Sequence, residues 1–199
     1  MEKVVLASES PRRKEIMENM GIRFETMVAD IKEEVLDKEP SRMVQALARL
    51  KSEKVASLLD DDRGKKIVIG ADTMVFYHGK LLGKPVDKAD AIKMIEMISN
   101  DVHEVYTGVY IIIKEKDKIL DSISFAVPTK VWVSPLSHKQ IKDYVDTGEP
   151  MDKAGAYAIQ GRFGMFIKKI EGDYFNVVGL PIATIYEKLL EKGIDLTTL

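Results

Sequence analysis

Two rhythms of apolar and polar residues run along this chain. Val4, Val5, Leu6 and Ala7 form a short unbroken apolar run, which predicts a buried strand over residues 3–7. Ser10 and Pro11 then predict a helix start, since Ser is a good N-cap and Pro suits the first helical position. Residues 22–29 read as a second strand and residues 30–34 as an acidic loop. From Pro40 and Ser41 to residue 59 the pattern turns helical, with Val44, Leu47, Ala48, Val55 and Leu58 on one stripe. Lys51 falls on that stripe, where its methylene stem can be buried with the ammonium at an edge or in a pocket.

Residues 67–69 read as a buried strand that runs into Gly70, Ala71, Asp72 and Thr73 before apolar residues resume at Met74. His78 and Gly79 predict a turn, and Gly83, Lys84 and Pro85 follow the hairpin. Asp87 caps a helix to Ile98 with Ala91, Ile92, Ile95 and Ile98 facing inward. Residues 105–113 and 119–127 read as strands around a turn at 115–118; Pro128 interrupts, and 130–133 are extended again. Ser137 and Gln140 form a capping box for a helix to residue 145, ended by residues 147–150. Residues 151–164 contain three glycines, few large apolar side chains and no period, which predicts a loop lining a cavity. Residues 166–170 and 174–178 read as a hairpin around Glu171, Gly172 and Asp173, and Pro181 opens a last helix closed by Gly193. Alternating strands and helices with at least two hairpins predict an α/β fold with a mixed sheet.

Composition narrows this picture. The 199 residues suffice for one large domain or two small lobes, and 45% hydrophobic residues supply a sizeable core. There are no repeats, low-complexity tracts or linker. No apolar run approaches the roughly 18 residues of a membrane span, and the N-terminal apolar run is too short for a signal peptide. Zero Cys excludes disulfides and thiolate metal sites and fits a cytoplasmic protein, and three scattered His argue against a His-rich zinc site. A net charge of −2 gives no general drive toward nucleic acid. Charged residues at 31%, with few Asn or Gln, lean toward a heat-adapted protein.

The candidate chemistry lies where charges break the local rules. Arg12, Arg13 and Lys14 occupy a helix start, where the macrodipole favours anions and a capping box would want Glu or Gln at position 13. A phosphate there would satisfy the arginines, the dipole and the open N–H groups together; the alternative is a solvated basic turn. The GxxxxGK[ST] spacing is missing, so this is no Walker loop. Asp72 sits in an apolar, sheet-like run, where a charge is costly unless a cation meets it. The alternative is a structural Asp accepting backbone hydrogen bonds at a strand end. Gly70 marks close approach of backbone or ligand, and Lys84 brings a cation back across the hairpin. Cations at Arg12, Arg13, Lys51 and Lys84 with acids at Glu33 and Asp72 suit a polyphosphate carrying a divalent metal.

The segments LASESPRRKE, IGADTMV, GKP, EPMDKAGAYAIQG and GDYFNVVGLP resemble, in order from Leu6 to Pro181, those of the Maf family of nucleoside triphosphate pyrophosphatases. The resemblance implies a single domain over residues 1–199, of a fold similar to inosine triphosphate pyrophosphatases: a mixed elongated sheet flanked by helices, with two lobes around a cleft. It implies hydrolysis between the α- and β-phosphates with a divalent cation, Mg²⁺ or Mn²⁺, and a homodimer. Position by position, Asp72 matches the family's general base and a metal ligand, and Glu33 matches an acidic position near the metal. Ser8, Arg12, Arg13, Lys51 and Lys84 match triphosphate-binding positions, while Asp152 and Lys153 lie in a matching segment without an assigned role.

Arg12, Thr73 and Gln160 match the branch of the family similar to dTTP/UTP pyrophosphatases; the branch acting on 7-methyl-GTP carries Gln and Glu at the last two positions. A Gln amide donates and accepts, matching O4 and N3–H of thymine or uracil. Ala158 departs from the Gly that relatives often carry there and would narrow the loop beside Gln160. Two alternatives remain: a broader house-cleaning pyrophosphatase for modified nucleotides, and a non-catalytic nucleotide- or nucleic-acid-binding regulator of septation. The cations sit in local motifs and not in a basic stripe interleaved with aromatics, which speaks against a nucleic-acid partner.

Overall fold

A computed structural model describes residues 2–28, 30–31, 37–59 and 64–199. Its sheet has seven strands: β1 (Lys3–Ala7), β2 (Glu25–Thr26), β3 (Lys65–Tyr77), β4 (Lys80–Leu82), β5 (Val102–Glu115), β6 (Lys118–Val133) and β7 (Ile167–Glu171). Their order is β2-β1-β3-β5-β6-β7, with β4 paired to β3. β1 runs parallel to β2 and β3, whereas β4 and β7 are antiparallel to their neighbours β3 and β6. The sheet is therefore mixed, as the sequence pattern predicts. The helices are α1 (Pro11–Asn19), α2 (Pro40–Leu58), α3 (Lys88–Ile98), α4 (His138–Asp146), α5 (Tyr174–Val178) and α6 (Ile182–Leu190). Among the described residues no helix is long and apolar enough to cross a membrane.

The chain divides into two compact units. The first comprises residues 1–72, 107–127 and 179–199. Here Val5, Ala7, Val68 and Ile112 from three strands form one apolar cluster with Val55 and Ala56 of α2. Two glycines let α2 lie close to the strands: a Cβ on Gly70 would stand 2.2 Å from Ser52 Oγ, and one on Gly108 2.3 Å from the Val44 backbone. Ser52 Oγ donates to the Tyr110 carbonyl at 2.7 Å, and the Lys114 ammonium donates to the Ala56 carbonyl at 2.8 Å, near the negative end of α2. The capping residue of α2 is Glu39, whose carboxylate accepts from the Ser41 and Arg42 N–H groups.

The second unit comprises residues 73–106 and 128–178. Ala91, Ile95 and Ile98 of α3 pack with Ile141, Tyr144 and Val145 of α4 and with Tyr157 and Phe163. The Phe163 ring lies 4.8 Å from Tyr157 and 5.1 Å from Tyr144. His103 is buried beside them, its Nε2 2.7 Å from the Tyr157 hydroxyl and its Nδ1 without a partner. An imidazolium there would be a buried charge with one N–H unsatisfied, and burial pulls the His103 pKa down to about 4. Both expected caps are present: Asp87 accepts from Asp90 N–H, and Ser137 with Gln140 completes the box of α4.

Five expectations are corrected. The strand expected over 22–29 is only Glu25–Thr26, because an edge strand bonded on one side to the short β1 holds its extended form only where pairing lasts; Ala29 lies outside the described residues. Leu58 is 52% exposed, because in the last turn of α2 the buried positions have moved to Val55 and Ala56. Pro128 does not interrupt β6. Pairing with β7 begins only at Lys130, so the missing N–H falls where that flank has no β7 partner.

Residues 151–164 do not form an open loop. Three short 3-10 helices, Glu149–Asp152, Ala154–Ala156 and Arg162–Phe166, fold them inward, with Ala156, Tyr157 and Phe163 in the core. Finally, residues 174–178 are the helix α5 and not a strand. Asp173 Oδ1 accepts from Phe175 N–H at 2.7 Å, and buried Asn176 donates to the Val105 carbonyl and Thr129 Oγ1. Capping and one buried amide thereby outweigh the strand preference of Tyr, Phe and Val.

Candidate active site

The first unit brings four of the candidate residues into two bonded pairs. Ser8 follows β1 directly, and its Oγ accepts from Ser10 N–H at 3.2 Å and from the Arg13 guanidinium at 3.0 Å. Both acceptor sites of this hydroxyl are then engaged, and its own hydrogen is left to donate. Arg13 also donates from Nε to the Gly179 carbonyl at 2.7 Å. Ser8 is 7% and Arg13 9% exposed, so the guanidinium is fixed at the start of α1 and does not wave in solvent. Ser10 occupies the N-cap position without a side-chain cap bond, while Arg12 is half-buried in the first turn. The Gly179 backbone has φ +124°, a conformation open to glycine and little else, which gives this residue of the GDYFNVVGLP segment a definite task. Its part as the acceptor for Arg13 has no separate signal in the sequence.

The second pair follows from the approach of α2 to β3. Gly70 and Asp72 are two residues apart on a strand and share a face. Ser52 covers Gly70, and its neighbour Lys51 reaches Asp72, with Nζ 2.6 Å from Oδ1. Asp72 is 8% exposed. Burial of such a pair is weak evidence for a stabilising role, because desolvation offsets most of the attraction. The Asp72 carboxylate is held against this ammonium in the interior of β3, not at a strand end.

Three further candidates lie in the second unit. Thr73, next to Asp72 on β3, is half-buried. Lys84 is exposed beyond β4, in a segment tied down where Gly155 N–H donates to the Gly83 carbonyl at 3.0 Å. Gly155 has φ +67°, and a Cβ there would press on Val75. Gln160 is exposed on a turn between two 3-10 helices. Lys153 pairs with Asp152 beside that region. Glu33 lies outside the described residues. Among the described residues no group of three or more His, Asp or Glu could hold a metal by itself.

The family model described as Maf-like protein matches residues 3–192. The dTTP/UTP pyrophosphatase of Lachnoclostridium phytofermentans is 43% identical over 196 residues, covering 98% of this chain and 98% of the relative. That of Alkaliphilus metalliredigens is 46% identical over 191 residues, covering 95% of each. The solved structure of the Staphylococcus aureus Ham1 protein is similar with a TM-score of 0.44 and 14% identity, covering 98% of this chain and 100% of that one.

Proposed function

The chain belongs to the Maf family, and from that premise we propose that it is a nucleoside triphosphate pyrophosphatase that hydrolyses the α-β phosphate bond of dTTP and UTP. The observation that carries the reading is the nearly buried Lys51–Asp72 pair at 2.6 Å. In this proposal residues 1–199 act as one Maf-like domain of two lobes, in the cytoplasm, with a nucleotide as substrate and without a nucleic-acid or membrane partner.

Asp72 takes a proton from the attacking water, whose oxygen bonds to phosphorus as the bridging P–O bond breaks. The nucleoside monophosphate and pyrophosphate leave. Lys51 orients the carboxylate and offers charge to the phosphates. Ser8 donates its remaining hydrogen to a phosphate oxygen, and Arg13, held by Ser8 and Gly179, presents a fixed cation with Arg12 beside it. Lys84 adds a cation, and Thr73 and Gln160 read the base.

Mg²⁺ is commonly held by one or two carboxylates together with substrate phosphates. Asp72 fits that mode: only one of its oxygens is bonded to Lys51, and a carboxylate has several lone pairs to offer. Asp72 would hold Mg²⁺ or Mn²⁺ with the triphosphate, and Glu33 is the second candidate ligand. The ion would supply neutralisation of phosphate charge.

The test is a panel of purified-protein assays on dTTP, UTP, dCTP and 7-methyl-GTP, with Mg²⁺, with Mn²⁺ and with EDTA. Pyrophosphate and orthophosphate are measured separately. Metal-dependent pyrophosphate release, fastest from dTTP and UTP, is the expected result. Orthophosphate alone, or binding without turnover, would overturn the proposal and favour the regulator reading.

A further inference from the structure

A glutamine amide is a poor judge of pyrimidines unless something holds it. One way round it matches O4 and N3–H of thymine or uracil; turned over, it matches the exocyclic amine and N3 of cytosine. Discrimination therefore depends on the frame that carries the amide, and that frame lies wholly within the second unit. Gly161 N–H donates to the Ala158 carbonyl at 3.1 Å, closing a four-residue turn with Gln160 at its third position. The C-terminal flank of the turn is tied to one side-chain pair. The Tyr144 hydroxyl donates to Glu149 Oε1 at 3.1 Å, and Arg162 N–H donates to Glu149 Oε2 at 3.1 Å. Gly161 admits the carboxylate to this position, since a Cβ there would stand 2.1 Å from Glu149 Oε1. Tyr144 is buried on α4 against Phe163, so the clamp is anchored in the core.

We infer that the Tyr144–Glu149 pair is a specificity-positioning device: it fixes the 158–161 turn so that Gln160 favours thymine and uracil over cytosine. The inference rests on the proposed role of Gln160 as base reader and adds the residues that make the role possible. Neither Tyr144 nor Glu149 needs to touch the nucleotide.

The test compares wild type, Tyr144→Phe and Glu149→Gln for binding of the α,β-imido analogues of dTTP and dCTP. Exchange of the Arg162 amide proton is followed by NMR without ligand. Wild type is expected to prefer the thymine analogue by about tenfold or more, the scale of a paired base contact. In each variant that preference shrinks at least about fivefold and the Arg162 amide exchanges faster, because Glu149 loses its anchor on Tyr144 in one and trades an acceptor oxygen for an NH2 group in the other. Glu149→Gln, at a half-buried position, keeps the test open if Tyr144→Phe does not fold. A preference unchanged within about twofold, a wild type without preference, or a parallel loss of affinity for both analogues would overturn the inference. If wild type discriminates between the analogues but releases no pyrophosphate from dTTP, the proposed activity falls and the positioning role stands.

Discussion

The two units bury polar groups of different kinds. In the first, the buried or nearly buried polar side chains are mostly ions and their partners, Arg13 with Ser8, Lys51 with Asp72 and Lys114 on a helix carbonyl, beside the neutral Ser52 and Thr107. In the second they are mostly neutral: His103 with Tyr157, Tyr144 on Glu149, Asn176 on Thr129. Ions in a core are expensive to keep and are well matched to a charged ligand. Neutral donors and acceptors hold backbone in place at lower cost and suit the reading of an uncharged base. The contrast matches the proposed division between phosphate chemistry and base selection.

The strongest way to break the comparison is Asp72→Asn. It removes the proposed base while keeping the shape, and pyrophosphate release from dTTP should fall by roughly 10²–10⁴-fold with the circular dichroism spectrum unchanged. Near-normal kcat would take Asp72 out of the base role. Gly108→Ala comes next. Its Cβ would meet backbone atoms of Val44 at 2.3–2.4 Å, which cannot swing aside, so α2 must shift. A loss of about 3 kcal/mol in denaturant unfolding is expected.

The neutrality of the second unit is tested by acid. His103 has a folded-state pKa of about 4, below its unfolded value of 6.5. The unfolded chain therefore binds the proton first. The stability this group contributes is complete above pH 6.5 and is lost as pH falls through 4, a change of about 3 kcal/mol. Unfolding measured at intervals from pH 7 to pH 4 should show a slope that His103→Gln removes.

Gln160→Glu puts a charge where the second unit offers an amide. The ratio of kcat/KM for dTTP over 7-methyl-GTP should drop by about tenfold or more, from roughly 1–3 kcal/mol of lost and gained contacts. An unchanged ratio would deny Gln160 its role. The smallest effect is expected at the surface. Lys139 pairs with Asp143 at 2.6 Å, but both side chains are exposed, so Lys139→Ala should leave the denaturation midpoint where it was.

Strong local signals survived folding. The cap at Asp87, the box at Ser137 and Gln140, and the stripe from Val44 to Val55 each rest on neighbours within a few residues. The amino-acid string also determined the family, through five ordered motifs, and with it the candidate residues Ser8, Arg12, Arg13, Lys51, Asp72, Thr73, Lys84 and Gln160. Residues 174–178 show where local reading ran out: a segment with four strand-preferring residues became a helix because Asn176 finds acceptors 71 and 47 positions away. Likewise the sparse segment 151–164 became core because Phe163 meets Tyr144 and Tyr157.

Only the tertiary structure decided that Lys51 reaches Asp72 across 21 residues, that Arg13 is held by a carbonyl 166 residues later, and that Tyr144 and Glu149 grip the C-terminal flank of the turn at Gln160. The physical reason is range. Caps, periods and motifs are written in adjacent residues, whereas the Lys51–Asp72 and Arg162–Glu149 bonds exist only after the glycines at 70 and 161 have let their segments meet.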